Sequence, residues 1–178
     1  MASPLGALEL LPEELRLLTL SFVPPSDLWL SVRHVNSQYK EYAEDVAAKR
    51  LVPQFRIGLY FTLNSGSHHR WYDVRGTVYH AFKEIHKVNP QYALFEMISV
   101  DPKNYRERVL ETWNRMCSSG FGPEQEWRVR FPPTDLLMKM PNLVLSNNEG
   151  VWCDWRELLD GYFARLPAVW EGLARDVV

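Results

Sequence analysis

Cysteine is scarce in this 178-residue chain: Cys117 and Cys153 are the whole complement. Two cysteines cannot build a disulfide framework, so free thiols are expected. Excess positive charge is missing as well. Twenty Lys and Arg stand against 22 Asp and Glu, a formal net charge of −2, which argues against the basic footprint of a general nucleic-acid binder. No apolar run approaches the length of a membrane span. The opening MASPLGALELLPEE holds no basic residue, so neither a secretory signal nor an Arg-rich transit peptide is expected. Gly120-Phe121-Gly122-Pro123 lacks the Gly-Lys-Ser/Thr ending of a phosphate loop. Repeats of the leucine-rich, WD or kelch kind are missing too.

What is present is a globular composition, 46% hydrophobic and 24% charged, enough for one ordinary domain plus a small module. The most structured local pattern is residues 11–45, LPEELRLLTLSFVPPSDLWLSVRHVNSQYKEYAED. Pro12 fits a first helical turn, where its missing N–H costs nothing. Glu13 and Glu14 then place negative charge at the positive end of the helix dipole. Leu11, Leu15, Leu18 and Phe22 fall at i, i+4, i+7 and i+11, one apolar face. Pro24 and Pro25 end that helix, and Ser26 with Asp27 suits the start of a second, with Leu28, Val32 and Val35 on one face. Asn36 and Ser37 can cap a third helix, on which Tyr39, Tyr42 and Val46 share a side. Three short helices bury little on their own, so a spare apolar face must meet a partner or the following domain. Periodicity alone leaves a docking module and a structural cap both open.

The order of parts in this segment resembles an F-box. Leu11-Pro12 matches the family's opening, Glu14-Leu15 the acidic–apolar pair after it, and Ser21-Phe22-Val23-Pro24 the end of helix one. Ser26-Asp27-Leu28 matches the start of helix two, and Val35 and Tyr39 the valine and aromatic four residues apart. Thr19, Asn36 and Tyr39 depart from the usual aliphatic, cysteine and tryptophan. The resemblance implies an F-box over residues 8–50 that docks on a Skp-family adaptor through Leu11, Pro12, Leu15, Leu28, Val35 and Tyr39. A cullin would be reached through that adaptor, as in an SCF ubiquitin ligase. It further implies a substrate receptor for a protein target, with no catalytic residues, no cofactor and no nucleic acid or membrane to bind, working in the cytoplasm or nucleus. The whole looks most like the short F-box proteins of filamentous fungi.

Residues 54–178 read as a second domain. Phe55, Ile57, Leu59, Phe61 and Leu63 alternate with Arg56, Gly58, Tyr60 and Thr62, a half-buried strand. Turn chemistry at residues 64–67 leads to a second extended run over 71–85, in which Gly76 suggests a bulge or bend. Residues 92–100 fit a strand, with a helix as the competing reading. A helix is expected over 104–117, ended at Gly120. Trp127, Val129 and Phe131 alternate with Glu126, Arg128 and Arg130 in a further strand, stopped by Pro132-Pro133. A short strand follows at 143–145. A helix over 154–166 is expected to be interrupted by Pro167. The predicted fold class is therefore α+β: a three-helix N-terminus, then a small domain with an antiparallel sheet and two or three packed helices.

Chemistry is less sharply written. A Cys–His nucleophile is conceivable, with His34, His68, His69, His80 and His86 available, but no local signature accompanies them. His68-His69 fits a solvated hairpin tip better than a metal site, because adjacent strand residues point to opposite sides. The same tip, with Arg70, Trp71 and Arg75, is a candidate for receiving an acidic or phosphorylated peptide. The six tryptophans after residue 70 suit a domain core, with a peptide groove as the alternative. Asp154, Glu157 and Asp160 lie at helical spacing and read as a solvated face.

Overall fold

The computed structural model describes residues 10–63, 74–120, 125–146 and 150–175. The chain divides into two compact units. One comprises the residues up to Pro53 together with those from Phe163 onward, and the other is Gln54–Tyr162. Among the described residues there are five α-helices and one seven-stranded sheet, so the protein is α+β.

The first unit is helical. Helix α1 spans Glu13–Leu20, with Pro12 at its N-cap position and Glu13 and Glu14 in the first turn. Helix α2 spans Pro25–Leu30. It starts one residue ahead of the Ser26 cap expected from sequence, because Pro25 itself occupies the first helical position. It also stops short: a separate 3₁₀ turn covers Val32–His34. Helix α3, Ser37–Val46, is capped as its sequence predicts. Asn36 Oδ1 accepts the Tyr39 N–H at 2.8 Å, and Tyr39, Tyr42, Ala43 and Val46 form its buried side. A π-type turn, Ala47–Leu51, extends it toward Pro53. Leu28 and Trp29 are fully buried. Over the Trp29 ring lies the Arg33 guanidinium, 4.2 Å from the centroid, which also pairs with Glu44 at 3.1 Å. That pair is largely shielded from water and ties the turn after α2 to α3.

The second unit is built on an antiparallel sheet of order β5-β4-β1-β2-β3-β7-β6. Its strands are β1 Arg56–Leu63, β2 Val74–Ile85, β3 Tyr92–Asp101, β4 Glu126–Phe131, β5 Thr134–Lys139, β6 Val144–Ser146 and β7 Gly150–Asp154. Residues 92–100, ambiguous in sequence, are strand. β5 and β7 are not among the strands expected from sequence; Pro132-Pro133 stops β4, and β5 starts at Thr134 and pairs back on it. Gly76 marks no bulge. It pairs in register with Phe61, and a Cβ there would stand 3.0 Å from the Phe61 ring. The irregularities lie instead between Tyr79 and His80 and between Phe82 and Glu84.

Period-two alternation sends Ile57, Leu59, Val78, Trp127, Val129 and Phe131 to the core face. Helix α4, Arg106–Ser119, covers part of this face with Val109, Thr112 and Trp113, after a 3₁₀ turn at Lys103–Tyr105. The Tyr162 ring of helix α5, Trp155–Arg175, stands edge-on to Phe55, and its hydroxyl lies 3.1 and 2.9 Å from the Phe131 and Thr134 carbonyls. Burial pushes that phenol up to about 12. Helix α5 spans Trp155–Arg175 without a break. Pro167 therefore does not interrupt it: a proline removes one rung of the hydrogen-bond ladder, and the remaining rungs carry the helix past it.

Asp154 is the N-cap of α5 and is 1% exposed. Its Oδ1 accepts the N–H groups of Arg156 and Glu157 at 3.0 and 3.2 Å, while Oδ2 accepts the Gln91 side-chain amide. Trp155 Nε1 donates to the Pro90 carbonyl at 2.8 Å. The start of α5 is thus fastened to the turn before β3. Asp154→Ala should lower stability by roughly 2 kcal/mol, the loss of a cap plus the hydrogen bond from Gln91. Asp154→Asn, which keeps an acceptor, should lose less than half of that. Urea denaturation of the two variants checks the order.

Candidate functional site

Helix α1 carries leucines on two sides. Leu20 is buried and Leu17 half-buried, whereas Leu15 and Leu18 are 45% and 54% exposed and Phe22 is 78% exposed. Of the row Leu11, Leu15, Leu18 and Phe22, the last three therefore face water and Leu11 is half-buried at its start. Leu10, Leu30 and Val35 are also exposed, at 87%, 41% and 46%. The chain around this row is held firmly. Arg16 Nε donates to the Leu11 carbonyl at 2.8 Å, and Arg50 Nη1 donates to the Val23 carbonyl at 3.1 Å. Scattered exposed leucines need no explanation, whereas a run of them along one helix is a candidate interaction surface.

Of the six residues the F-box resemblance assigns to docking, Leu11, Pro12, Leu15 and Val35 lie at least partly in solvent. Leu28 and Tyr39 do not. They are 0% and 2% exposed, so they are interior residues of the helical unit and reach no partner directly. The side of α3 that holds Tyr39, Tyr42 and Val46 points inward, whereas Val35, expected to share a face with Leu28, is exposed.

A second surface lies on the outer face of the sheet. Arg56, Gly58 and Tyr60 of β1, Tyr79 of β2, Ile98 and Ser99 of β3, Arg128 and Arg130 of β4 and Asp135 of β5 line a hollow of about 280 Å³. Cross-strand register builds it. Arg56 stands directly opposite Arg130, and Gly58 lies opposite both Tyr79 and Arg128. Gly58 is the floor: a Cβ there would come within 3.2 Å of the Tyr79 ring. The Tyr60 and Tyr79 rings meet edge to face with centroids 6.5 Å apart, and Arg128 lies 4.7 Å over the Tyr60 ring. Asp135 is shared between Arg128 at 3.9 Å and Arg130 at 3.6 Å. Arg56 Nη1 donates to the Phe55 carbonyl at 2.9 Å. Burial, followed by the hydrogen bond with Tyr79, holds the Tyr60 phenol above its usual range. It stays a proton donor.

The sequence places peptide recognition elsewhere, at Arg70, Trp71 and Arg75. Arg70 and Trp71, with His68 and His69, fall outside the described residues. Arg75 is exposed on β2, opposite Thr62, and is not among the residues lining the hollow. The polar alternates of β1 and β4 were visible in sequence, but nothing local says that these two strands are neighbours. A larger hollow is lined, among the described residues, by the 3₁₀ turn Lys103–Tyr105 and the start of α4 alone. Among the described residues no group of His, Cys, Asp and Glu could hold a metal ion. Cys153 is fully buried, and burial and the adjacent Asp154 push its thiol far up; burial raises the Cys117 thiol to about 11. Neither is poised as a nucleophile. His86 accepts the N–H groups of Val88 and Asn89 at 3.2 and 2.9 Å and serves a turn. Glu157 and Asp160 are exposed, while Asp154 is the buried cap described above.

Comparison with family models, with curated proteins and with solved structures finds no match to this chain.

One buried titratable group remains. His80 is 0% exposed, its ring centroid is 5.0 Å from Trp113 and 6.1 Å from Trp127, and neither ring nitrogen has a hydrogen-bond partner among the described residues. Desolvation pulls its pKa down to about 4, so it is neutral and sealed, a poor acid or base for any substrate. The folded-state value lies below the unfolded one. Its contribution is therefore complete above about pH 6.5 and is lost as pH falls toward 4. Wild type should lose roughly 2–3 kcal/mol between pH 7 and 4.5 through this one group. His80→Leu should remove that part of the acid sensitivity, read from urea midpoints at the two pH values.

Proposed function

We propose that this chain is a substrate-receptor subunit of an SCF-type ubiquitin ligase. In this reading the helical unit docks on a Skp-family adaptor, and through it on a cullin, while the sheet unit holds a target protein. The observation that carries the proposal is the row Leu11, Leu15, Leu18 and Phe22, solvent-facing from Leu15 onward and set on a helix whose start and end are fixed by Arg16 and Arg50. A purely internal role would bury these side chains. An amphipathic helix offering anchors at i, i+4 and i+7 is a standard mode of helix-in-groove recognition. Burying each aliphatic side chain is worth about 1.5–3 kcal/mol, ample for a stable complex from three or four anchors. Leu28 and Tyr39 serve the same surface from beneath, by packing the core that holds α1 in place. Ubiquitin transfer then belongs to the cullin-bound machinery, and this chain contributes proximity and orientation.

Co-expression with the Skp adaptor and size-exclusion chromatography should give a stable one-to-one complex. Leu18→Glu with Phe22→Glu should abolish it while leaving the circular dichroism spectrum and melting curve unchanged, since both side chains are exposed. Leu11→Ala with Pro12→Ala should cost about 2 kcal/mol, a roughly thirtyfold weaker complex. A well-folded wild-type monomer that ignores the adaptor would sink the proposal.

A further inference from the structure

The outer-face hollow of the sheet unit has an unusual charge layout. Three guanidiniums and one carboxylate line it. Two of the arginines, Arg56 and Arg130, are direct cross-strand partners, an arrangement that costs stability because like charges opposite one another repel. The sheet keeps it nonetheless, on a floor that Gly58 leaves flat for the Tyr79 ring. Asp135 is the informative neighbour. Its carboxylate sits at the long end of pairing distance from both Arg128 and Arg130, at 3.9 and 3.6 Å, so the chain's own carboxylate already shows which group suits this rim. Two phenols stand beside it, and the raised Tyr60 keeps its proton to donate. Ile98 and Leu137, 57% and 55% exposed, put apolar surface on the same face as the arginines.

We infer that this groove binds an acidic segment of a partner protein in extended conformation, with a Glu or Asp carboxylate seated among Arg56, Arg128 and Arg130 and neighbouring side chains lying on Ile98 and Leu137. The charge excess supplies the attraction, and guanidiniums recognise carboxylates in paired, directional geometry. Arg128 and Arg130, two apart on one strand, point to the same side. An extended segment whose acidic residues also alternate meets them in step. The volume, about 280 Å³, suits one side chain and its backbone and lies below the usual range for a whole small-molecule ligand. The inference deepens the receptor reading, on which its biological sense rests, by naming the class of target.

The test uses the full chain without any adaptor, so that failure here and failure of adaptor docking are seen separately. The probe is a short fluorescein-labelled peptide alternating glutamate and valine, followed by fluorescence anisotropy at low and moderate salt. Its controls are the glutamine–valine counterpart and a version with phosphoserine for glutamate. The glutamate peptide should bind and weaken as salt rises, and the glutamine peptide should not bind. Arg130→Gln or Arg56→Gln should weaken binding about tenfold or more without lowering the melting temperature, because each relieves the repulsion across the strands. Asp135→Asn should tighten binding several-fold by removing the resident competitor. A purely structural role for these arginines would show the reverse, with melting lowered and binding unmoved. Equal binding of the glutamine peptide, or of the glutamate peptide to both arginine variants, overturns the inference. So does binding confined to the phosphoserine peptide, which would assign the groove to phosphate.

Discussion

Strand β1 is the constraint on which the sheet unit depends. It is paired along its whole length with β2 and, over Arg56–Gly58, with β4 as well, so its first half is held from both sides. Its side chains divide by parity, with Phe61 half-buried at the far end. Ile57, Leu59 and Leu63 are buried in the core, and Arg56 and Tyr60 project outward. A slip of one residue would put arginine into the core and isoleucine into water, which fixes the register against both neighbours. That register in turn sets Arg56 against Arg130, Gly58 under Tyr79 and His80 beside the tryptophans of α4 and β4. Interior and outer surface are two consequences of one alternation.

The helical unit works under the opposite condition. Its helices are short, α2 having only six residues, and isolated helices of that length are unstable without tertiary contacts. They are held by a small set of buried groups: Trp29 under Arg33, Arg33 on Glu44, and the tyrosine side of α3. With Leu28 and Tyr39 committed inward, α1 is left holding more leucine than the interior can take. The exposed row on α1 is the remainder of a core too small for its own apolar content.

Much of this was legible in the sequence, and what was not follows a pattern. The α3 cap at Asn36 and the alternation of β1 and β4 rest on local chemistry and stand in the structure; α4 is a helix as expected, with both ends two residues later than the sequence suggests. The two missed strands, β5 and β7, are short, and one follows directly on Pro132-Pro133, a pair that reads as a stop. The alternation of Leu136 and Met138 with Asp135, Leu137 and Lys139 is blurred because Leu137 sits on the polar side. The direction of the α1 face was undecidable, since periodicity gives a stripe and not its neighbour. The groove was beyond reach for a different reason. Its arginines come from strands more than sixty residues apart in sequence, and only their pairing turns three ordinary polar alternates into a cluster. The hairpin tip, by contrast, gathers its charges locally and so attracted the peptide-binding reading.

The two cysteines form an internal clock. Cys153 lies in β7, opposite Ala93 of β3, with no solvent exposure and a strongly raised pKa. A thiol reagent can reach it only when that strand pair separates, so its rate of consumption counts openings of one side of the sheet. Cys117, half-buried near the end of α4, reacts without any such event. The ratio of the two rates measures local strand opening under fully native conditions, in the unaltered sequence and with no probe introduced.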